Sequence, residues 1–536
     1  MQHMMQHMEG WFAVHCSPRK APRASLRDRA FPSAEPDDRM RGCPPRISRS
    51  RISRARRLVA ILCAILLPLT VAGCGTTGTG STTTPSASSS ALTGRVSIFV
   101  PSDPIELSQN VPVGTWAKFV PEMTTLLVKE GFSKKSISTT TSSTLEEQSS
   151  AIQDAVVKTM SSSSSKSSSS ESMTLIVAPV PEDTTTDIHF GDFLSRPYPD
   201  STSTASQSQE TVQALNRLSD VLQLAKQSGM HVVLISNSIP DVTPDLFVRM
   251  SSASAIGKMQ ARNLVEKLRL DSATSSHPRV IEVLLPQTQS EDIDKAVFSG
   301  IWSVLKPYFT SGKAVSASKT LTSSTTDDDW KSVSFDAKSA SASGDEIYRR
   351  LHHDDSDSAG VTTPRIDGII ASNDYVASGV VKKLTKMGYT GSAAQINPSI
   401  TVPGIVEGII GKRDLQRSPV PDPSDAPTDE STKENDSQWP IITGYGANVS
   451  TLPSVVNGHL WMTTVEDRGS AATLLAQACA TMGRGRKPSS VEGVDSGNYY
   501  DSKVPTIDAG LVAVSATNLK AALIDPGYVS LADAGL

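Results

Sequence analysis

The sequence predicts an α/β fold in which parallel sheets are flanked by helices, and three observations lead there. From Arg95 onward, short apolar runs of strand length alternate with helix-period segments. Such alternation favours parallel strands joined by right-handed helical crossovers. The clearest unit is Ile366 to Gly391, where the apolar run Ile366–Ala371 leads into the polar turn Ser372-Asn373-Asp374. Val376, Gly379, Val380, Leu384 and Met387 then recur at helical spacing, and Gly388 stops the helix. Lastly, 536 residues at 38% hydrophobic composition suffice for two or three domains. A net charge of −4 gives no electrostatic case for nucleic acid. In the central unit Ser372 is expected to cap the helix, and Asn373 and Asp374 fall at the helix dipole's positive end. That is also the strand's carboxyl end, where open α/β sheets bind ligands.

The N-terminal region reads differently. Residues 1–39 are polar and aperiodic, and are read as a disordered or untranslated extension, with Met40 as an alternative start. Arg46, Arg49, Arg51, Arg54, Arg56 and Arg57 precede the apolar run Leu58–Val71, which is short for a membrane span. Val71-Ala72-Gly73-Cys74 follows. Basic region, apolar core and small residues before a cysteine together resemble a bacterial lipoprotein signal over 40–73, with Cys74 as the lipidated residue. Acyl chains on Cys74 would hold the protein at the membrane. The alternative is an uncleaved anchor with an incidental cysteine. Residues 74–92, rich in Gly, Ser and Thr, read as a flexible tether.

In the body, strands are expected at Arg95–Val100, Ser136–Thr141, Met173–Val180, His231–Ser236, Arg279–Leu285 and Ala314–Leu321. Helices are expected at Trp116–Glu130, Leu145–Met160, Thr211–Gly229, Ala255–Leu270 and Ile293–Phe309, with a partly helical stretch at Ser332–His352. After the central unit a helix is expected at Ile400–Leu415, then strands at Ile441–Gly444 and Trp461–Val465, and helices at Ser450–Asn457 and Ala471–Met482. Leu511–Val514 closes the series, followed by a turn at Asn518–Ile524. Ten of the twelve residues in Ser161–Ser172 are serine, so that stretch cannot pack a core and must loop out. Residues 416–439, rich in Pro, Asp, Ser and Glu, read as a second surface insertion. The five cysteines fit no zinc or redox spacing, and Cys479, in an apolar helical run, reads as a buried core thiol.

Three stretches, in order, resemble the type I periplasmic sugar-binding proteins, especially the xylose- and ribose-binding branch. They are GIWSVLKPYFTSGKAV (Gly300–Val315), the central IDGIIASNDYVASGVVKKL, and ITGYGANVSTLPSVVNGHLWMTTVED (Ile442–Asp467). The resemblance implies two similar lobes, each a parallel sheet flanked by helices, joined by three crossing strands and closing on a sugar. It places 93–250 plus 466–500 in the first lobe and 251–465 plus 501–536 in the second. Asn373 matches a ligand-contacting asparagine. Tyr445 stands where the family has glutamine, and Gly446 where it has a ligand-binding aspartate. Asn237 falls near a family arginine and Asp292 near an asparagine, while Glu466 replaces a lysine. Ser252 and Ala253 replace an Asp-Asn pair. Trp330 is the candidate cleft aromatic, and Asp103 sits at a plausible mouth position after the first strand. Structural roles compete for most of these: a helix start for Asp292, a surface pair with Arg468 for Glu466, and packing for Trp116 and Trp461. The histidines of the body, such as His352 and His353, lie in polar surroundings and read as solvated.

The resemblance implies a lipid-anchored solute-binding protein on the extracytoplasmic face of the cell membrane. It would capture a mono- or small oligosaccharide by lobe closure and deliver it to the membrane subunits of an ABC permease. No cofactor, metal or nucleic acid is expected, and the protein is expected to be a monomer. The sequence contains no nucleophile elbow, phosphate-cradling loop or His/Cys metal cluster, so no enzyme is implied. The alternative keeps the fold as a sensor or surface interaction protein with a degenerate or non-sugar cleft. A LacI-type repressor, also of this fold, is disfavoured because the signal segment occupies the place of a DNA-binding headpiece.

Overall fold

The computed structural model describes residues 92, 94–102, 112–163, 172–181, 187–196, 198, 208–288, 290–339, 341–352, 363–393 and 438–536. All of them fall within one compact unit, Pro85–Leu536. Two sheets organise it. The first contains β1 (Arg95–Pro101), β2 (Ile137–Ser142), β3 (Met173–Val177), β4 (His231–Ile235), β5 (Leu246–Arg249), β12 (Asp495–Tyr499) and β13 (Ser502–Asp508). Its order is β12-β13-β5-β4-β3-β1-β2, with every pair parallel except the β12–β13 hairpin. The second contains β6 (Arg279–Pro286), β7 (Ala314–Val315), β8 (Ser334–Phe335), β9 (Gly368–Ala371), β10 (Ile441–Thr443), β11 (Met462–Glu466) and β14 (Leu511–Ser515). It runs β14-β11-β10-β9-β6-β7, with β8 also on β6 and only β14 antiparallel.

Helices cover both faces of each sheet. On the first, α1 (Trp116–Lys129) packs on one side, and α2 (Leu145–Ser163) with α3 (Gln209–Gln227) on the other. On the second, α4 (Ala253–Lys267) and α5 (Glu291–Thr310) face α6 (Ala342–Leu351), α7 (Asp374–Met387) and the short α8 (Leu452–Val456) across the sheet. The last long helix, α9 (Arg468–Gly483), returns to the first lobe beside α1. It buries Ala471, Leu475, Ala478 and Cys479, and burial pushes the Cys479 thiol up to about 12. Strands buried on both faces explain the near-continuous apolar runs, such as the five buried residues of β3.

The chain passes between the sheets three times: from β5 to α4, from β11 to α9, and from β13 to β14. The last passage corrects the expected division at residue 501. β13 pairs with β5 through Thr506↔Phe247, so the first lobe extends to Asp508 and the second resumes at Leu511. The hairpin escapes sequence patterning because its strands, DSGNY and SKVPTID, are largely polar and exposed along its outer strand. β5 is missed because it is only four residues long. The strand expected over Ala314–Leu321 stops after Val315. There the buried Glu282 carboxylate accepts from Ser316 Oγ (2.7 Å) and from the Ser318 amide (2.8 Å), turning the chain off the ladder. Of the expected 416–439 insertion only Gln438 and Trp439 are described. Trp439 is buried, donating from Nε1 to the His459 carbonyl. The expected helix at Ile400–Leu415 lies outside the described residues, as does most of the serine-rich run beyond Ser163.

Two glycines let α4 and α5 touch backbone to backbone. A Cβ on Gly257 would stand 2.2 Å from the Val297 carbonyl oxygen, and one on Gly300 would stand 2.1 Å from that of Ser254. Neither backbone atom can swing aside, so a side chain must push the helices apart. Gly300→Ala is therefore expected to destabilise the protein by about 1–3 kcal/mol, the usual range for overpacking. Calorimetric unfolding checks this, with the outward-facing Lys306→Ala as the control expected to change little.

Candidate functional site

The candidate site forms where the carboxyl ends of both sets of strands meet the crossings. In the turn after β9, Ser372 does not cap α7, because its hydroxyl donates to the Leu284 carbonyl of the neighbouring strand (2.8 Å). Asn373 is the cap instead, its Oδ1 accepting from the Val376 amide at 3.0 Å. Asn373 is 1% exposed, and its amide nitrogen has no partner among the described residues. Asp374 is fully buried. Its carboxylate accepts from the Asn448 amide (3.1 Å), Thr451 Oγ1 (2.7 Å) and Thr463 Oγ1 (2.8 Å), and its own amide donates to the Tyr445 carbonyl (2.8 Å). Burial pushes this carboxyl up to about 6 even against the pull of those donors.

Tyr445 and Glu466 come together, and each satisfies the other. The Tyr445 hydroxyl and the Ser251 hydroxyl both donate to Glu466 Oε1, at 2.5 and 2.6 Å. Burial raises the pKa of the Tyr445 hydroxyl and, in the same direction, that of the Glu466 carboxyl. Glu466 ends β11 and Ser251 lies in the first crossing, so this triad is a hinge contact. The expected surface pair of Glu466 with Arg468 is not formed. Arg468 is itself buried, with its Nε 3.3 Å from Glu122 and its guanidinium 3.5 Å over the Tyr528 ring. Gly446, where the resembling family has an aspartate, has a φ of +115° that favours glycine. Its carbonyl accepts from the Val113 amide at 2.9 Å.

The other sequence candidates scatter. Asn237 is buried and ties loops together, accepting from the Arg196 amide (2.7 Å) and donating to the Pro179 carbonyl (2.8 Å). Asp292 is exposed in the first turn of α5, behind the Ser290 cap. Trp330 is not a cleft aromatic: it is 7% exposed in the core that α5 builds on the second sheet. Ser252 caps α4 by accepting from the Ala255 amide. Trp116 packs edge-on against Phe119 and Phe193 in the first-lobe core. Asp103 and Cys74 lie outside the described residues.

Sequence reasoning missed the segment between β3 and α3. His189 stacks flat on Tyr375, ring centroids 3.8 Å apart at 8°. It is therefore not a solvated histidine, and burial lowers its pKa, favouring the neutral ring. Phe190 is 1% exposed among second-lobe residues, with its ring 6.1 Å from that of Tyr445. Asp192 Oδ2 accepts from the Trp116 amide (3.1 Å) at the start of α1, where Thr115 offers no side-chain cap. The signal was present: His189-Phe190-Gly191-Asp192-Phe193 concentrates aromatics in a chain with only 5% of them.

This geometry can be set beside known proteins. No family model matches the chain. Over 316 residues it is 24% identical to the multiple sugar-binding periplasmic receptor ChvE of Rhizobium radiobacter, covering 58% of this chain and 71% of that receptor. Two predominantly parallel sheets, three crossings and this relationship agree. The chain has the type I periplasmic-binding-protein fold. Solved structures similar to it include an ABC transporter solute-binding protein from Clostridium phytofermentans with bound β-D-glucose. That match is 18% identical, with a TM-score of 0.45, covering 82% of this chain and 99% of that one. A carbohydrate transporter solute-binding protein from Chloroflexus aurantiacus in complex with D-glucose is 16% identical, with a TM-score of 0.44, covering 83% and 98%.

Asp374 gives this periplasmic-binding-protein fold a pH signature. With the folded carboxyl raised from 3.8 to about 6, the folded state keeps a proton that the unfolded chain releases. Ionisation of Asp374 therefore costs stability as pH rises through that window. The Tm advantage of the parent over Asp374→Asn is expected to shrink from pH 4 to pH 6. A constant difference across that range would show that Asp374 does not titrate there.

Proposed function

We propose that the protein is an extracytoplasmic solute-binding protein that captures a small sugar between its lobes, held at the membrane through lipid on Cys74. Capture and delivery to an ABC permease need no chemistry, so the protein is a binding protein and not an enzyme. The observation that carries the reading is Asn373. It stands at the carboxyl end of β9, its carbonyl oxygen spent on the cap, which leaves its amide nitrogen as a fixed donor for a ligand hydroxyl. The relationship to a receptor named for binding multiple sugars supports the same ligand class. Lobe closure would then change the surface offered to the permease.

A second reading, a sensor or surface interaction protein without a sugar, is favoured by one feature. Tyr445 and Glu466 satisfy each other, and no carboxylate stands at Gly446.

Thermal unfolding of the protein against pentoses, hexoses and small oligosaccharides separates the two. A sugar at ~100 times its dissociation constant stabilises the folded state by about 2.7 kcal/mol. Asn373→Asp keeps the cap acceptor but removes the amide donor, so it is expected to abolish the sugar-induced shift. Its buried carboxylate beside Asp374 lowers the ligand-free Tm, and the shift is read against the variant's own ligand-free Tm. No shift with any sugar favours the second reading. For the anchor, Cys74→Ser is expected to stop incorporation of a labelled fatty acid and release the protein into the soluble fraction. Unchanged labelling would sink the anchor assignment.

A further inference from the structure

We infer that the segment His189–Phe193 is a built-in occupant of the interlobe cleft, holding the two lobes together and competing with whatever the cleft binds. Its root belongs to the first lobe. Phe193 packs on Trp116 and Phe119, with ring centroids 5.1 and 5.7 Å away, and its carbonyl accepts from the Ser236 hydroxyl at 3.2 Å. The Ser195 amide donates to the Ser251 carbonyl at the first crossing. Its tip belongs to the second lobe. Phe190 is sealed into that lobe's core beside Tyr445, and His189 covers Tyr375, which follows Asn373 and Asp374 at the start of α7. Between root and tip, Asp192 places a carboxylate on the α1 amino terminus, a position suited to an acceptor group of a ligand. Pro112 and Val113, just before α1, lie against the segment and the loop after β10. A Cβ on Gly191 would meet Pro112 at 2.9 Å, and the Val113 amide donates to the Gly446 carbonyl.

The consequence is competitive. Separating the lobes requires Phe190 to leave an apolar core and the His189–Tyr375 stack to part, so the segment biases the lobes together without a ligand. A ligand for this cleft binds the fraction of molecules in which the segment has withdrawn. Its apparent dissociation constant is raised by the reciprocal of that fraction. This regulatory role rests on the cleft reading above, but the interlobe bias does not depend on the ligand being a sugar.

The test compares the full chain with a His189→Ala/Phe190→Ala variant, each carrying spin labels on unnatural side chains at Lys135 in the first lobe and Lys306 in the second. The parent is expected to show one narrow interlobe distance without added sugar, and the variant a longer or broader distribution. Superimposable distributions overturn the inference. Should the double variant lose its fold by circular dichroism, His189→Ala alone is read, because it removes only a half-buried ring. Any sugar bound by the parent is expected to bind the variant tighter by on the order of tenfold. Equal affinity overturns the competition. Absence of sugar binding in both proteins removes the sugar reading, and the distance comparison still decides the occupant.

Discussion

The carboxylate of Asp374 sits, closed to solvent, where β9 and β10 of the second sheet end and the neighbouring β11 begins. Asp374 itself follows β9, Asn448 and Thr451 follow β10, and Thr463 belongs to β11, and all converge on its two oxygens. Gly444 is required beside it, since a Cβ there would stand 2.3 Å from Asp374 Oδ1. The rise of this carboxyl to about 6 means that burial outweighs the hydrogen bonds it accepts. A buried acid held at that cost fixes geometry: the turn cannot shift without stranding three donors. Asn373 and Tyr375, on either side of it, are therefore presented at fixed positions.

The crossings use a second buried carboxylate in the same way. Glu466 collects hydroxyls from Tyr445 and Ser251, joining the loop after β10, the strand β11 and the first passage between lobes. Two residues that look like ligand contacts when aligned one at a time, Tyr445 and Glu466, are thus committed to each other. Rotation of the lobes about the crossings must carry this triad along or break it. The His189–Phe193 segment adds a contact on the cleft side, so hinge and cleft are braced by different chemistry. One is a charge-centred hydrogen-bond knot, and the other is aromatic packing.

Much of the architecture was legible from pattern. Buried parallel strands produce apolar runs such as MTLIV and HVVLI, and the helices between them keep their 3.6-residue period. What pattern missed is short or polar. β5 has four residues, and the β12–β13 hairpin carries mostly polar side chains. Trp330 shows why single residues mislead: large aromatics are as useful to a core as to a binding face, and here the core takes it.

By itself, the sequence determined the alternation of strands and helices, the anchor-like amino-terminal pattern, and the Ser-Asn-Asp turn as the centre of interest. These are local properties, set by side-chain polarity, period and turn chemistry within a few residues. Tertiary structure decided which polar groups remain available. Asn373 rather than Ser372 caps α7, because the Ser372 hydroxyl finds a carbonyl on β6. Tyr445 and Glu466, 21 residues apart, meet only when β10 and β11 pair. His189 meets Tyr375 only when a connection of the first lobe reaches the second. Such contacts join residues far apart in the chain, and no local property of either partner encodes them.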